Sequence, residues 1–88
     1  MIEYEGEDVT VTVTLLSKLK KPIGRNFYFG VHKIEILDNN ILRLHNRWPG
    51  YPDTEDYPSE SWERFVLYEE DGFMSDKQYI YHKVKEEL

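Results

Sequence analysis

The chain has 88 residues, of which 40% are hydrophobic and 15% are aromatic, and its formal net charge is −6 at pH 7. A chain of this length forms one modest core, so we expect a single domain over residues 1–88. It contains no cysteine, which excludes disulfides, a thiol nucleophile and cysteine-ligated metals. No apolar run is long enough to span a membrane, and the acidic start is unlike a secretory signal, so we expect a cytoplasmic protein.

Charge is distributed unevenly along the chain. Residues 1–8 carry four acids and no base, whereas residues 17–33 carry five bases and no acid. Residues 53–76 carry nine acids and one base. A protein with this acidic balance repels nucleic acid at long range, although a local basic segment can still contact phosphate. The balance favours a basic protein partner.

The first predicted strand runs from Val9 to Leu15, where aliphatic residues alternate with threonines. Period-two alternation of β-branched residues is typical of a strand, with one aliphatic face and one threonine face. Ser17 to Asn26, which contains Pro22 and Gly24, is predicted to be a connection.

The segment from Phe27 to Trp48 predicts a β-hairpin, and its side chains determine the register. A two-residue loop would pair apolar residues with charged ones across the strands. A three-residue loop from Asp38 to Asn40 instead pairs like with like: Ile36 with Leu42, Ile34 with Leu44, and Glu35 with Arg43. Asn40 tolerates the left-handed conformation that such loops need.

The second strand of this hairpin has one irregularity in its apolar pattern. Phe27, Phe29 and Val31 fall on one parity, whereas Ile34 and Ile36 fall on the other. A bulge between Gly30 and Lys33 would direct all five side chains inward. Without a bulge, the register would set Gly30 opposite Trp48, so that an aromatic ring covers the glycine. The pattern leaves both alternatives open.

The rest of the chain predicts a long connection and two further strands. Pro49 to Ser61 contains three of the four prolines and is predicted to be the connection. Trp62 to Glu70 predicts a strand that ends in a turn at Glu70 to Gly72. Lys77 to Val84 predicts a last strand, and the alternative is a C-terminal helix capped by Ser75 and Gln78. We therefore expect an all-β domain, or α+β if the helix forms, built as a small antiparallel sheet or partly closed barrel of about five strands.

The sequence offers no catalytic or metal-binding signal. In the predicted hairpin, His45 points outward and His32 inward, so the two cannot share a metal unless a bulge intervenes. The acid-rich segment from Asp53 to Glu60 lacks the spacing of a calcium loop, and Arg64 stands where its terminal glutamate would be needed. No nucleophile elbow, phosphate-binding glycine loop or dinucleotide fingerprint is present. We therefore predict no enzyme activity, no metal and no cofactor.

Aromatic and acidic residues around the long connection have the composition of a protein-binding hot spot, in which aromatic rings supply affinity and charges steer association. The alternative is that these rings fold back over their own sheet. The predicted partner-binding residues are Trp48, Tyr51, Asp53, Glu55, Asp56, Tyr57 and Trp62. They favour a non-catalytic acidic domain, such as an inhibitor or immunity-type protein acting on a basic nucleic-acid-handling partner. A phage or mobile-element origin suits this size and charge.

Two other classes of function stay open. A basic segment with neighbouring aromatic rings has the ingredients of an oligonucleotide- or ligand-binding β-barrel, and its residues are Lys18, Lys20, Lys21 and Arg25. Against it, we expect Phe27 and Phe29 in the core, and the basic segment could instead pair with the acids of residues 3–8. The third class is a structural subunit that forms homo-oligomers through an exposed sheet edge.

Overall fold

A computed structural model describes residues 1–69 and 78–83 of the chain. These residues form one open antiparallel sheet of six strands, in the order β4-β3-β2-β1-β5-β6. The strands are β1 (Ile2–Leu16), β2 (Pro22–Ile36), β3 (Leu42–Asn46), β4 (Thr54–Tyr57), β5 (Trp62–Tyr68) and β6 (Gln78–His82). Single 3-10 turns at Asp38–Asn40 and Ser59–Ser61 complete the described elements.

The predicted all-β class is confirmed, and of the two predicted architectures the structure has the open antiparallel sheet. It has six strands rather than about five because Thr54–Tyr57 forms β4 within the predicted connection. Gln78–His82 is a strand, as predicted, and not the start of a helix. The predicted turn at Glu70 to Gly72 and the predicted cap at Ser75 lie outside the described residues.

The predicted register of the β2–β3 hairpin is confirmed. Ile36 pairs with Leu42, Ile34 with Leu44, and Glu35 with Arg43. The loop closes through a hydrogen bond from the Leu37 amide to the Ile41 carbonyl at 2.8 Å. Both Asn39 (φ 65°) and Asn40 (φ 58°) adopt the left-handed conformation, which asparagine tolerates better than most residues.

Three bulges interrupt β2, and the one that the sequence offered as an alternative is among them. Between Val31 and Lys33 the strand has one residue more than its β3 partners, so His32 is the bulged position. A second shift, against β1, separates Val31 from Tyr28. The bulges bring Val31 and Ile34 to the same face, as predicted, and both are fully buried.

The same bulges overturn the prediction that Phe27 and Phe29 point into the core. Tyr28 is buried instead, with 6% of its surface exposed, whereas Phe27 and Phe29 are 46% and 37% exposed. The second bulge adds one residue between Tyr28 and Val31. Because successive side chains of a strand point to opposite faces, this extra residue directs Tyr28 inward and Phe27 and Phe29 outward.

One face of the sheet carries the core, which is built from aliphatic and aromatic side chains of five strands. Trp62 closes one end of it, because its indole N–H donates to the Asn40 carbonyl at 2.9 Å and so joins β5 to the β2–β3 loop. The core residues are Val9, Val11, Val13, Tyr28, Val31, Ile34, Ile36, Leu42, Leu44, Tyr57, Trp62, Phe65 and Leu67.

The opposite face carries the threonines of β1, and they are also buried. Thr12 lies between Phe27 of β2 and Val66 of β5 in the register of the sheet. Its hydroxyl is buried and has no hydrogen-bond partner among the described residues. Cross-strand neighbours therefore cover the middle of this face, and the surface they present is apolar.

Candidate functional site

The β1–β2 hairpin separates the two charged segments of the chain. The acids of residues 3–8 lie at the start of β1, whereas Lys18, Lys20 and Lys21 lie in the turn at its far end, where Leu16 pairs with Pro22. The alternative in which the basic segment pairs with these acids is therefore wrong for the turn lysines. Lys33 does reach them, because it pairs with Glu5 in the sheet and its Nζ lies 3.9 Å from the Glu5 carboxylate.

Backbone hydrogen bonds hold the loop that follows β3. The Asn46 amide donates to the Asp53 carbonyl at 2.9 Å, and the Asn46 side chain donates to the Pro52 carbonyl at 3.3 Å. Within the loop, the Tyr51 amide donates to the Trp48 carbonyl at 3.2 Å. The loop therefore has a defined conformation in which Asn46 closes its base.

Trp48 is the exposed aromatic residue of this loop. Its side chain is 53% exposed, and its ring centre lies 5.7 Å from that of Phe29 in a tilted arrangement. The backbone of Trp48 lies against Gly30, which has a φ of +71° and whose carbonyl accepts a hydrogen bond from the Arg47 amide at 2.8 Å. The ring of Trp48 therefore packs against Phe29 on one side and faces solvent with the rest of its surface.

The other aromatic residues predicted to bind a partner lie mainly inside the protein. Tyr57 and Trp62 belong to the core, since Tyr57 faces Leu42 across β3 and β4 and Trp62 faces Leu15 across β1 and β5. Their side chains are not available to a partner in this fold, which corrects their assignment as contact residues.

Tyr51 is half-buried and folds back over its own sheet. Its ring centre lies 5.5 Å from that of Tyr28, and its hydroxyl donates to the Phe27 carbonyl at 3.3 Å. The alternative prediction, in which the rings of the loop fold back over their own sheet, is therefore correct for Tyr51. Among the four aromatic residues predicted as contacts, only Trp48 is exposed.

The acids of the loop also divide into two groups. Asp53 is exposed, and Glu55 is half-buried on β4. Asp56 instead accepts two hydrogen bonds from the Arg43 guanidinium, at 2.8 and 2.9 Å. These bonds lower the pKa of Asp56 below its ordinary value. They also connect β4 to β3, because Arg43 and Asp56 are paired across these two strands.

The predicted basic site gains two residues that the sequence did not indicate. Arg25 lies over Phe27, with its guanidinium 5.8 Å from the ring centre. In the register of the sheet, Arg25 of β2 pairs with Thr14 of β1. Thr14 also pairs with Arg64 of β5, which in turn pairs with His82 of β6. Residues in one row share a face, so a row of cationic or titratable side chains adjoins the exposed ring of Phe27.

The histidines approach one another more closely than the unbulged hairpin predicts. The bulge at His32 brings its ring to 6.0 Å from that of His45, whose Nε2 lies 2.7 Å from the Glu35 carboxylate. This hydrogen bond lowers the pKa of Glu35, and burial followed by the charge of Arg47 lowers the pKa of His32. Within residues 1–69 and 78–83, no group of three histidine or acidic side chains could hold a metal ion.

The described part of the chain also contains no helix with the length and apolar character needed to cross a membrane. Comparison with known proteins finds no family model, no curated protein and no solved structure that matches this chain.

Proposed function

We propose that this protein is a non-catalytic binding domain that contacts a basic protein partner through the loop after β3. The exposure of Trp48 carries the proposal. A large aromatic ring that is half exposed in a defined position is typical of the residues that dominate binding energy at protein interfaces. Because the ring already packs against Phe29 and the loop backbone is hydrogen-bonded, less conformational freedom is lost when a partner covers it than for an unsupported side chain.

The charge of the protein supports a basic partner. Its net charge is −6, and the exposed Asp53 follows Trp48 in the same loop. Opposite charges on two partners accelerate their encounter and suppress wrong pairings. In its concrete form, the protein is a cytoplasmic inhibitor or immunity-type protein of a phage or mobile element, which blocks a nucleic-acid-handling protein. This form rests on size and charge.

Affinity capture from the native cell tests the proposal. The bait is the full chain, compared with Trp48→Ala and with the matched control Ile23→Ala, which removes an exposed apolar side chain at the start of β2. We expect the wild type and the control to retain one basic protein that Trp48→Ala does not retain. Retention by Trp48→Ala, or recovery of the bait alone as a homo-oligomer, would contradict the proposal.

The row that contains Arg25 and Arg64 favours a second candidate, the binding of single-stranded nucleic acid. Exposure of Phe27 removes the objection that its ring belongs to the core. A cation beside a stackable ring is the combination that such proteins use. Fluorescence anisotropy with a labelled single-stranded oligonucleotide at low salt tests this candidate. Binding that is lost in Arg25→Ala and retained in Trp48→Ala would favour it over the protein partner.

A further inference from the structure

An open hollow lies between the start of β1 and strands β5 and β6. Its volume is about 370 Å³, and its walls are aromatic and aliphatic. Tyr4, Tyr79 and Tyr81 contribute three of the rings, and Glu3 and Glu69 contribute carboxylates beside them. The hollow therefore combines flat apolar surfaces with negative charge.

The rings that form the hollow have defined positions. Tyr81 stacks on Phe65, with ring centres 5.0 Å apart and an angle of 14° between the planes. The Tyr4 hydroxyl donates to the Glu7 carbonyl, which fixes the second ring. Tyr79, paired with Leu67 in the sheet, is 60% exposed. The ring of Tyr79 is thus the one most open to a ligand, whereas Tyr4 and Tyr81 are half-buried.

A second hollow of about 300 Å³ adjoins the first and shares Tyr4 and Glu69 with it. Glu7 and Asp8 add two further acids there. Among the described residues that line the two hollows, four are acidic and none is basic. The pKa of Tyr4 is raised by burial and then by Glu69, which places this carboxylate close enough to act on the shared ring.

We infer that the two hollows bind two arginine or lysine side chains from an extended basic segment of the partner. The inference rests on the proposed function and names the chemistry of a second contact with that partner. A cation over an aromatic face is attracted by the ring, and it gains more when it is partly removed from water. The apolar stems of arginine and lysine cover the rings while their charged ends meet carboxylates.

An extended segment suits two adjoining hollows, because alternate side chains of a strand point to the same side. Arginine fits them better than lysine, since its planar guanidinium stacks on a ring and can bond a carboxylate at the same time. Phosphate does not suit hollows that carry four acids, which separates this site from the row of Arg25, Arg64 and His82 on the other face of the sheet.

A peptide titration tests the inference on the full chain. The probe is an acetylated and amidated Gly-Arg-Gly-Arg-Gly peptide, and binding is followed by NMR chemical shifts of the labelled protein. We expect the largest shifts at Tyr4, Glu69 and Tyr79. Replacement of both arginines in the peptide by citrulline, which keeps the shape and removes the charge, should abolish binding.

Protein variants separate a specific site from general attraction to an acidic protein. Glu69→Gln should weaken peptide binding by about three- to fivefold, as expected for loss of one partly exposed ion pair, and Tyr79→Ala should weaken it by a similar factor. The matched control is Asp38→Asn, which removes one charge from the exposed β2–β3 loop. An equal loss in the control, or equally tight binding of free arginine amide, would overturn the inference.

The inference and the proposed function can fail separately. Trp48→Ala should leave the affinity for the peptide unchanged, because Trp48 does not line either hollow. If the wild type does not bind the peptide while Trp48-dependent capture of a partner persists, the hollows are not the second contact and the inference alone is wrong.

Discussion

Gly30 of β2 and Trp48 of the loop after β3 are in direct contact. A methyl group at Gly30 would lie 3.1 Å from the Trp48 backbone nitrogen and 3.3 Å from its Cβ. The φ of Gly30 is +71°, a conformation that glycine adopts readily and other residues rarely do. One glycine therefore permits both the bulge that changes the parity of β2 and the close approach of the Trp48 backbone.

Gly30→Ala is expected to destabilise the protein by about 1–3 kcal/mol, because alanine is strained at positive φ and its methyl group meets the backbone of Trp48. Chemical denaturation measures the change. Gly50→Ala is the matched control, since Gly50 also has a positive φ of +94° and a methyl group there would meet nothing within 4 Å. Similar losses in the two variants would show that the contact with Trp48 is not the cause.

The bulges explain why sequence reasoning found the β2–β3 register but not the orientation of Phe27 and Phe29. Near the hairpin loop, β2 and β3 pair residue for residue from Lys33 to Ile36, and apolar and charged residues alternate with period two. Farther along, β2 bulges against β1 as well as against β3. The order of apolar and polar residues within one strand does not show where a bulge will reverse the direction of its side chains, because the bulge depends on how the strand pairs with both of its neighbours.

The register itself makes a prediction about Leu44 and Arg43, which are neighbours in β3. Leu44→Ala should destabilise the protein by about 2–5 kcal/mol, because Leu44 is fully buried and its truncation leaves a cavity. Arg43→Ala should cost less than about 1 kcal/mol, since its ion pair with Asp56 is partly exposed. Equal losses in denaturation experiments would contradict the register.

The Arg43–Asp56 pair also predicts how stability depends on pH. The pKa of Asp56 is lower in the folded protein than its ordinary value of 3.8 because Arg43 donates two hydrogen bonds to it. A carboxyl group with a lowered pKa stabilises the fold above its unfolded pKa, and this stability is lost as the pH falls through the folded pKa. Melting temperature should therefore decrease below about pH 4, and less steeply in Asp56→Asn than in the wild type.

Asp38→Asn is the control for this experiment, because it removes an exposed aspartate from the β2–β3 loop without touching Arg43. Its melting temperature should follow the wild-type dependence on pH. If Asp56→Asn and Asp38→Asn reduce the fall in melting temperature at low pH equally, the loss of stability reflects overall charge rather than the ion pair.

The candidate site was only partly predictable for a related reason. Composition identified an aromatic and acidic loop, and Trp48 and Asp53 of that loop are exposed. It could not show that Tyr57 would join a fourth strand, because Thr54–Tyr57 has a single large apolar residue and lacks the alternation of a strand. Arg64 and His82 join Arg25 only through the pairing of β5 with β1 and of β6 with β5.

The proposed contact predicts that the charges and the aromatic ring of the loop act on different steps of binding. Asp53→Asn combined with Glu55→Gln should mainly slow association, and the effect should shrink at high salt, because exposed charges steer the encounter and salt screens them. Trp48→Ala should mainly speed dissociation, by a factor that corresponds to about 1–3 kcal/mol, since the ring is buried only in the complex. Binding kinetics on the captured partner measure both rates. The basic site predicts the reverse: silent changes in the loop, and loss of binding when Lys18, Lys20, Lys21 and Arg25 are changed to alanine.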